Sequence, residues 1–177
     1  EYPTAVKYAS LIPPIALVIG LIALIYDLKN PLYSWQLYTT VRIESPMSWG
    51  AWVLLVVTPL SFLWVFSFFS ELFPKWDLKF EWLKKFEQFV KKNRKNMAYE
   101  LIPLSIILGV YTGILLSAFN ARPLWNNAIL GPLFLTSGLS TGAAAIILLA
   151  KTAKERHLFG KVDLALIIIE LGLIIHM

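Results

Sequence analysis

The stretch MSWGAWVLLVVTPLSFLWVFSFFSELF, residues 47–73, has no charged side chain before Glu71. Crossing the hydrocarbon core of a bilayer takes about 20 predominantly apolar residues at a rise of about 1.5 Å each, and this stretch is long enough. Lys7 to Leu28, Met97 to Phe119 and Ala128 to Ala150 read the same way. A fifth apolar run starts at Val162 and meets the last residue, Met177, before a full crossing is complete. The 177 residues are 58% apolar and only 15% charged, a balance that one water-soluble core could not hide. The expectation is an all-α polytopic transmembrane bundle of about five helices, the last one truncated. Residues 1–177 form one domain, and a chain that opens on Glu1 reads as part of a longer subunit.

Charge placement sets the orientation. Of the 16 Lys and Arg, most fall between helices two and three (Lys75, Lys79, Lys84, Lys85, Lys91, Lys92, Arg94, Lys95) or between helices four and five (Lys151, Lys154, Arg156, Lys161). These segments mark the cytoplasmic side. The formal charge of +5 therefore belongs to membrane-flanking loops, and no nucleic-acid partner is expected. Residues 74–96 form a cytoplasmic amphipathic connector in which Trp82, Leu83, Phe86, Phe89 and Val90 recur at helical spacing among lysines. That pattern predicts a helix lying in the interface plane, lysines toward anionic headgroups.

On the outer side lie DLKNP (Asp27 to Pro31), SPMSWGAW (Ser45 to Trp52) and ARPLWNN (Ala121 to Asn127). An interfacial aromatic belt accounts for much of their tryptophan and tyrosine. Ser45 can cap the second helix and Pro46 suits its first turn. Gly109 and Gly113 in helix three, and Gly138 and Gly142 in helix four, are small residues four apart. They predict close approach of these antiparallel neighbours, or of each with another helix.

Polar groups at membrane depth are the candidate functional residues. Tyr111 stands about 12 Å below the outer surface, where its hydroxyl wants a partner, either a neighbouring carbonyl or a ligand. Glu170 is an intramembrane carboxylate, by default a functional group, with Ser140 and Thr141 as neighbours by depth. His176 follows it toward the outer side. Asp27 closes helix one, as a capping acid or as part of an outer pocket. The absence of cysteine excludes thiolate-held iron-sulfur clusters from this chain, and a single histidine in a span cannot supply a bis-histidine haem.

The outer blocks, with YTGILLSAFNARPLWNN (Tyr111 to Asn127), LFLTSGLSTGAA (Leu133 to Ala144) and VDLALIIIELGLIIH (Val162 to His176), resemble the NrfD/PsrC family of polysulfide reductase-like membrane subunits. The resemblance covers most of the chain. It implies a multi-pass cell-membrane subunit that exchanges electrons between menaquinone or another quinone and an iron-sulfur subunit docked on the outer face. Through that partner it would serve a molybdopterin-type or other catalytic subunit, with neither haem nor cluster of its own. The resemblance implies quinone contacts from Tyr111, Asp27 and Trp49, and partner docking at Ser45, Met47, Arg122, Trp125 and Asn126. Glu170, His176 and Thr141 would form a proton relay. DLKNP carries Asn30 where the family more often has arginine, and the Gly-rich helix that usually precedes this motif is not in the sequence. The alternative is a proton or ion transporter that uses the intramembrane carboxylate Glu170.

Overall fold

The computed structural model describes residues 3–27, 31–33, 35–39, 45–73, 81–117 and 127–177. The described residues form α1 (Pro3–Ala9), α2 (Ile12–Asp27), a short turn of helix at Pro31–Tyr33, α3 (Gln36–Thr39), α4 (Pro46–Phe66), α5 (Phe69–Leu72), α6 (Glu81–Lys92), α7 (Arg94–Ser117), α8 (Leu130–Leu149) and α9 (Ala153–His176). No strand occurs among them. Four segments are long and apolar enough to cross a membrane: Ala5–Tyr26, Met47–Phe66, Arg94–Ser117 and Leu130–Leu149. The chain is a multi-pass helical membrane bundle. Leu148 and Ile175 are more than four-fifths exposed, as lipid-facing side chains are in a bundle whose solvent is hydrocarbon.

Local chemistry fixes where each span begins and ends. Pro46 opens α4 at the position where its missing N–H costs nothing. Ser45 takes the extended backbone of a cap, but its hydroxyl makes no capping bond. Only its carbonyl is used, accepting from the Ser48 N–H at 3.1 Å, because the fixed φ of Pro46 already sets the entry. The apolar run ending at Phe73 is not one helix, since α4 stops at Phe66. At the stop, Ser67 is fully buried. Arg94, at the start of α7, donates from Nε to Ser67 Oγ at 3.2 Å and from Nη2 to the Ser67 carbonyl, and pairs with Glu71 at 3.2 Å. Its guanidinium lies 3.8 Å from the Phe68 ring centroid. A cation on the last carbonyls of a helix satisfies orphan acceptors and complements the negative end of the dipole.

The first crossing is also interrupted. α1 and α2 are separated at Ser10–Leu11, just before Pro13-Pro14, and the Ser10 hydroxyl turns back to the Lys7 carbonyl at 2.7 Å. By contrast, α4 and α7 run through Pro59 and Pro103. The fifth helix begins at Ala153 instead of Val162, because Lys154, Glu155 and Arg156 continue the same helix as its polar foot. Glu155 suits the positive N-terminal end.

Neighbours in the bundle run α2 against α4, α4 against α7, α7 against α8 and α8 against α9. The glycines of α7 do make a close contact. A Cβ on Gly113 would come within 2.5 Å of the Gly131 Cα, and one on Gly109 within 3.0 Å of Leu135 Cδ1. The partners on α8 are thus Leu130, Gly131 and Leu135, not the predicted Gly138 and Gly142, where an added methyl group would meet nothing within 4 Å.

At the lysine-rich end, α1 packs on α8. The Ala5 N–H points at Glu155 Oε1 at 3.4 Å, and Lys151 Nζ reaches the Tyr8 hydroxyl at 3.1 Å. At that same end α6 docks on α5: Glu87 Oε1 accepts from the Ser70 N–H at 3.2 Å and pairs with Lys91 at 3.0 Å, while Lys91 also reaches Ser70 Oγ at 2.5 Å. Burial of the Glu87 carboxyl works to raise its pKa, but the bonds from Ser70 and Lys91 outweigh it and hold the group below the usual carboxylate range.

Gly113→Leu is expected to cost about 1–3 kcal/mol through overpacking at the α7–α8 crossing, and Gly142→Leu to stay within about 0.5 kcal/mol of the parent. Denaturant titration in detergent micelles measures both. Because the folded Glu87 pKa is depressed, its contribution is present above the unfolded value, near 4.5, and is lost as pH falls through the lower folded value. Acid titration of amide exchange around Ser70 should therefore show protection falling below that pH, and Glu87→Gln should remove the dependence.

Candidate functional site

The most confined contact between spans lies where α4 and α7 meet, toward the end opposite the lysines. Gly50 is four residues inside α4, about 6 Å from its start, and Tyr111 is six residues from the end of α7, about 9 Å. A Cβ built on Gly50 would fall on the Tyr111 ring, against Cζ, Cε1 and the hydroxyl oxygen. The tip of the ring therefore lies against bare backbone, in space that any other residue at 50 would occupy. A side chain at 50 would displace the ring, so glycine is what gives the tyrosine this place. Tyr111 is half-buried, and among the described residues its hydroxyl makes no hydrogen bond. Its oxygen is not fully buried, so the hydroxyl is open to a ligand.

The surroundings of Tyr111 leave that hydroxyl available. Thr112 spends its own hydroxyl on the Leu108 carbonyl at 3.0 Å, and Ser117 bonds the Ile114 carbonyl at 2.8 Å. Ser48 is buried on α4 two residues before Gly50, and Trp49 is largely exposed beside it. Met47 is exposed at the same end. Asp27 is the last residue of α2, whose far end lies on this side of the bundle. Arg122, Trp125 and Asn126 lie outside the described residues. Asn127 is described, and it starts α8 by accepting the Ile129 N–H on Oδ1 at 3.1 Å.

Further in, a cavity of about 450 Å³ lies among α2, α4, α7 and α8, walled by Val57, Trp64, Leu101, Ile106, Leu135 and others, with Ser61 and Ser105 its only hydroxyls. Its nearest wall on α7, Ile106, is five residues from Tyr111, about 7.5 Å along the helix. Thr58 Oγ1, one residue from Val57, is buried without a hydrogen bond. The cavity suits an apolar tail, not a charged solute.

The α8–α9 seam carries a second polar set. Ser140 Oγ donates to Asp163 Oδ1 at 2.5 Å. Glu170 follows Asp163 by seven residues, about 20° short of two full turns, so both carboxylates share the stripe that faces α8. Because α9 starts at Ala153, Glu170 stands about 25 Å along it. It is therefore beyond Ser140 and Thr141 and level with Tyr111, which is equally far along α7 from Arg94. Thr141 is exposed and bonds the Ser137 carbonyl at 2.8 Å. His176 is exposed on another face of α9. The structure does not bring Glu170, Thr141 and His176 together. Ser140 was expected beside Glu170, and its actual partner Asp163 was missed because a helix begun at Val162 puts Asp163 at its very edge. The seven-residue spacing of two acids in an apolar helix was the available signal. No group of three or more His, Asp or Glu able to hold a metal occurs among the described residues.

The polysulphide reductase NrfD family matches residues 2–177. The chain belongs to the NrfD family. It is 31% identical over 157 residues to protein NrfD of Escherichia coli K12, covering 86% of this chain and 49% of that protein. It is 32% identical over 169 residues to an NrfD homolog of Haemophilus influenzae, covering 89% and 53%. With the C chain of polysulfide reductase from Wolinella succinogenes it shares 32% identity over 144 residues, covering 81% and 45%. The sequence spans about half the length of these relatives. No solved structure matches it.

In this NrfD-family chain, Gly50→Ala tests the glycine–tyrosine contact. The atoms in the way are the far end of a flexible side chain, so the ring should swing aside while the bundle stays folded, at a cost of about 1 kcal/mol. In the Tyr111→Ala background the same substitution should cost less, and a double-mutant cycle of detergent unfolding measures the coupling.

Proposed function

We propose that this chain is a quinone-reactive part of the membrane subunit of an oxidoreductase. It would exchange electrons between the membrane quinone pool, menaquinone or another quinone, and an iron-sulfur subunit on the face opposite the lysines. That partner would connect it to a molybdopterin-type or other catalytic subunit. The observation that carries the reading is the Tyr111 hydroxyl, unpartnered among the described residues, on a half-buried side chain in a span and pressed against Gly50. Family membership supports it, since one relative is named as a chain of polysulfide reductase.

In this reading a quinone supplies two-electron chemistry coupled to two protons. The Tyr111 hydroxyl donates to a carbonyl oxygen of the ring and fixes its position. Gly50 gives the tyrosine its place, and Trp49 covers the mouth. Asp27, at the end of α2, takes up a proton released toward the outer side. The apolar cavity inward of Ile106 receives part of the isoprenoid tail. Ser45 and Met47 at the head of α4, with Arg122, Trp125 and Asn126 from the sequence between α7 and α8, form the surface for the iron-sulfur partner.

The acidic stripe of α9 favours a second role beside the first. Asp163, held by Ser140, and Glu170 could pass protons along the α8–α9 seam, with His176 and Thr141 at its borders. If that stripe acted alone, the chain would be a proton or ion transporter, and liposomes holding it without a redox partner would take up protons.

Tyr111→Phe separates these readings. It should lower quinone-linked turnover about tenfold, the equivalent of about 1.4 kcal/mol, while the assembled complex and its turnover with an artificial donor persist. Undiminished quinone turnover would remove Tyr111 from the site.

A further inference from the structure

The helix α6 presents four distinct sectors when its residues are set out at about 100° each. Trp82, Phe86 and Phe89 fall within an arc of about 60°, and Trp82 and Phe89 are 66% and 62% exposed. To one side of this arc are Val90 and Glu87, both buried against the bundle and fastened there through Ser70 and Lys91. To the other side are Lys85 and Lys92, seven residues apart and about 70–90° from the middle of the arc. Both are exposed, and neither has an ion-pair partner among the described residues. Lys84 and Gln88 point away from the aromatics.

The bundle fixes the height of the helix as well as its roll. Phe86 packs against Phe66, the last residue of α4, with tilted rings whose centroids are 5.7 Å apart. The aromatic arc is therefore level with the end of a membrane span: Phe86 forms its inner edge against Phe66, while Trp82 and Phe89 face away from the protein. An exposed aromatic face at that height belongs in the acyl boundary, and lysines at its edge belong at the phosphates.

We propose that α6 is a binding site for anionic phospholipid, in which Trp82, Phe86 and Phe89 enter the leaflet and Lys85 with Lys92 hold the headgroup phosphate. The Glu87–Ser70–Lys91 contacts keep the helix rolled so that the two lysines reach the lipid. Charge complementarity decides the occupant. A zwitterionic surface offers no net attraction for two unpaired lysines, whereas each lysine near an anionic leaflet adds a favourable term of its own. The site lies at the opposite end of the bundle from Tyr111 and stands independently of the quinone reading.

The test uses the intact complex in nanodiscs of phosphatidylcholine with or without a minor fraction of phosphatidylglycerol. The chain has no cysteine, so Phe89→Cys and Gln88→Cys each place one spin label in it, with the unsubstituted complex as the blank. The label at 89 should relax with oxygen and not with an aqueous nickel chelate, and the label at 88 the reverse. Native mass spectrometry should show retained phosphatidylglycerol falling roughly fivefold for each of Lys85→Gln and Lys92→Gln, and unchanged in Lys84→Gln, which removes the same charge from the far side. A label at 89 open to the aqueous chelate, or shielded from both reagents by protein, would overturn the proposal. So would equal lipid retention in the three lysine variants.

Discussion

Inside hydrocarbon a helix gains little by hiding leucine from lipid, so a membrane bundle is held where backbones can touch and where polar atoms find each other. Both constraints operate here, and they operate at different ends. Away from the lysines, the contacts are steric: Gly50 receives the Tyr111 ring, and Gly113 lies against Leu130 and Gly131. At the lysine-rich end they are charged: Arg94 closes α4, Glu87 pins α6, and Glu155 meets the start of α1. The glycines leave no room to spare, while the charged end is reached by water and open to pH.

This division explains why the candidate site lies where it does. Close backbone approach gives the tyrosine its place between α4 and α7, with its hydroxyl unspent among the described residues. The ionic contacts at the other end keep α4 and α7 in register, since Arg94 begins α7 and grips the residue after α4. A geometry set at one end of two long helices is carried to the other by their stiffness.

The spans were legible in the sequence because apolar length is a strong signal. The helix α6 was legible because Trp82, Phe86 and Phe89 recur at helical spacing, although residues 74–80 of the expected connector lie outside the described residues. Tyr111 and Gly50 were each visible, but not their contact, which depends on how α4 and α7 cross. The end of α4 was not legible, since the residue that stops it, Arg94, lies a whole connector away in sequence. The start of α9 was misplaced because charged residues such as Lys154 and Arg156 read as loop when apolarity is the guide. That error shifted the depth of Glu170 and hid the pairing of Ser140 with Asp163. Which part of α8 meets α7 was also beyond the sequence, because the four-apart small-residue pattern pointed to Gly138 and Gly142, whereas Gly131 has Leu135 four residues on and lies outside it.

The interruption at Ser10–Leu11 has a mechanical meaning. The short piece before it is fastened to the α8–α9 corner, through Glu155 and Lys151, and the long piece after it leans on α4. One crossing thus straps two walls of the bundle together across its middle, with a joint between the fastenings. A straight rod in that position would transmit every displacement of one wall to the other. A jointed strap lets the walls shift by small amounts and still prevents them from parting.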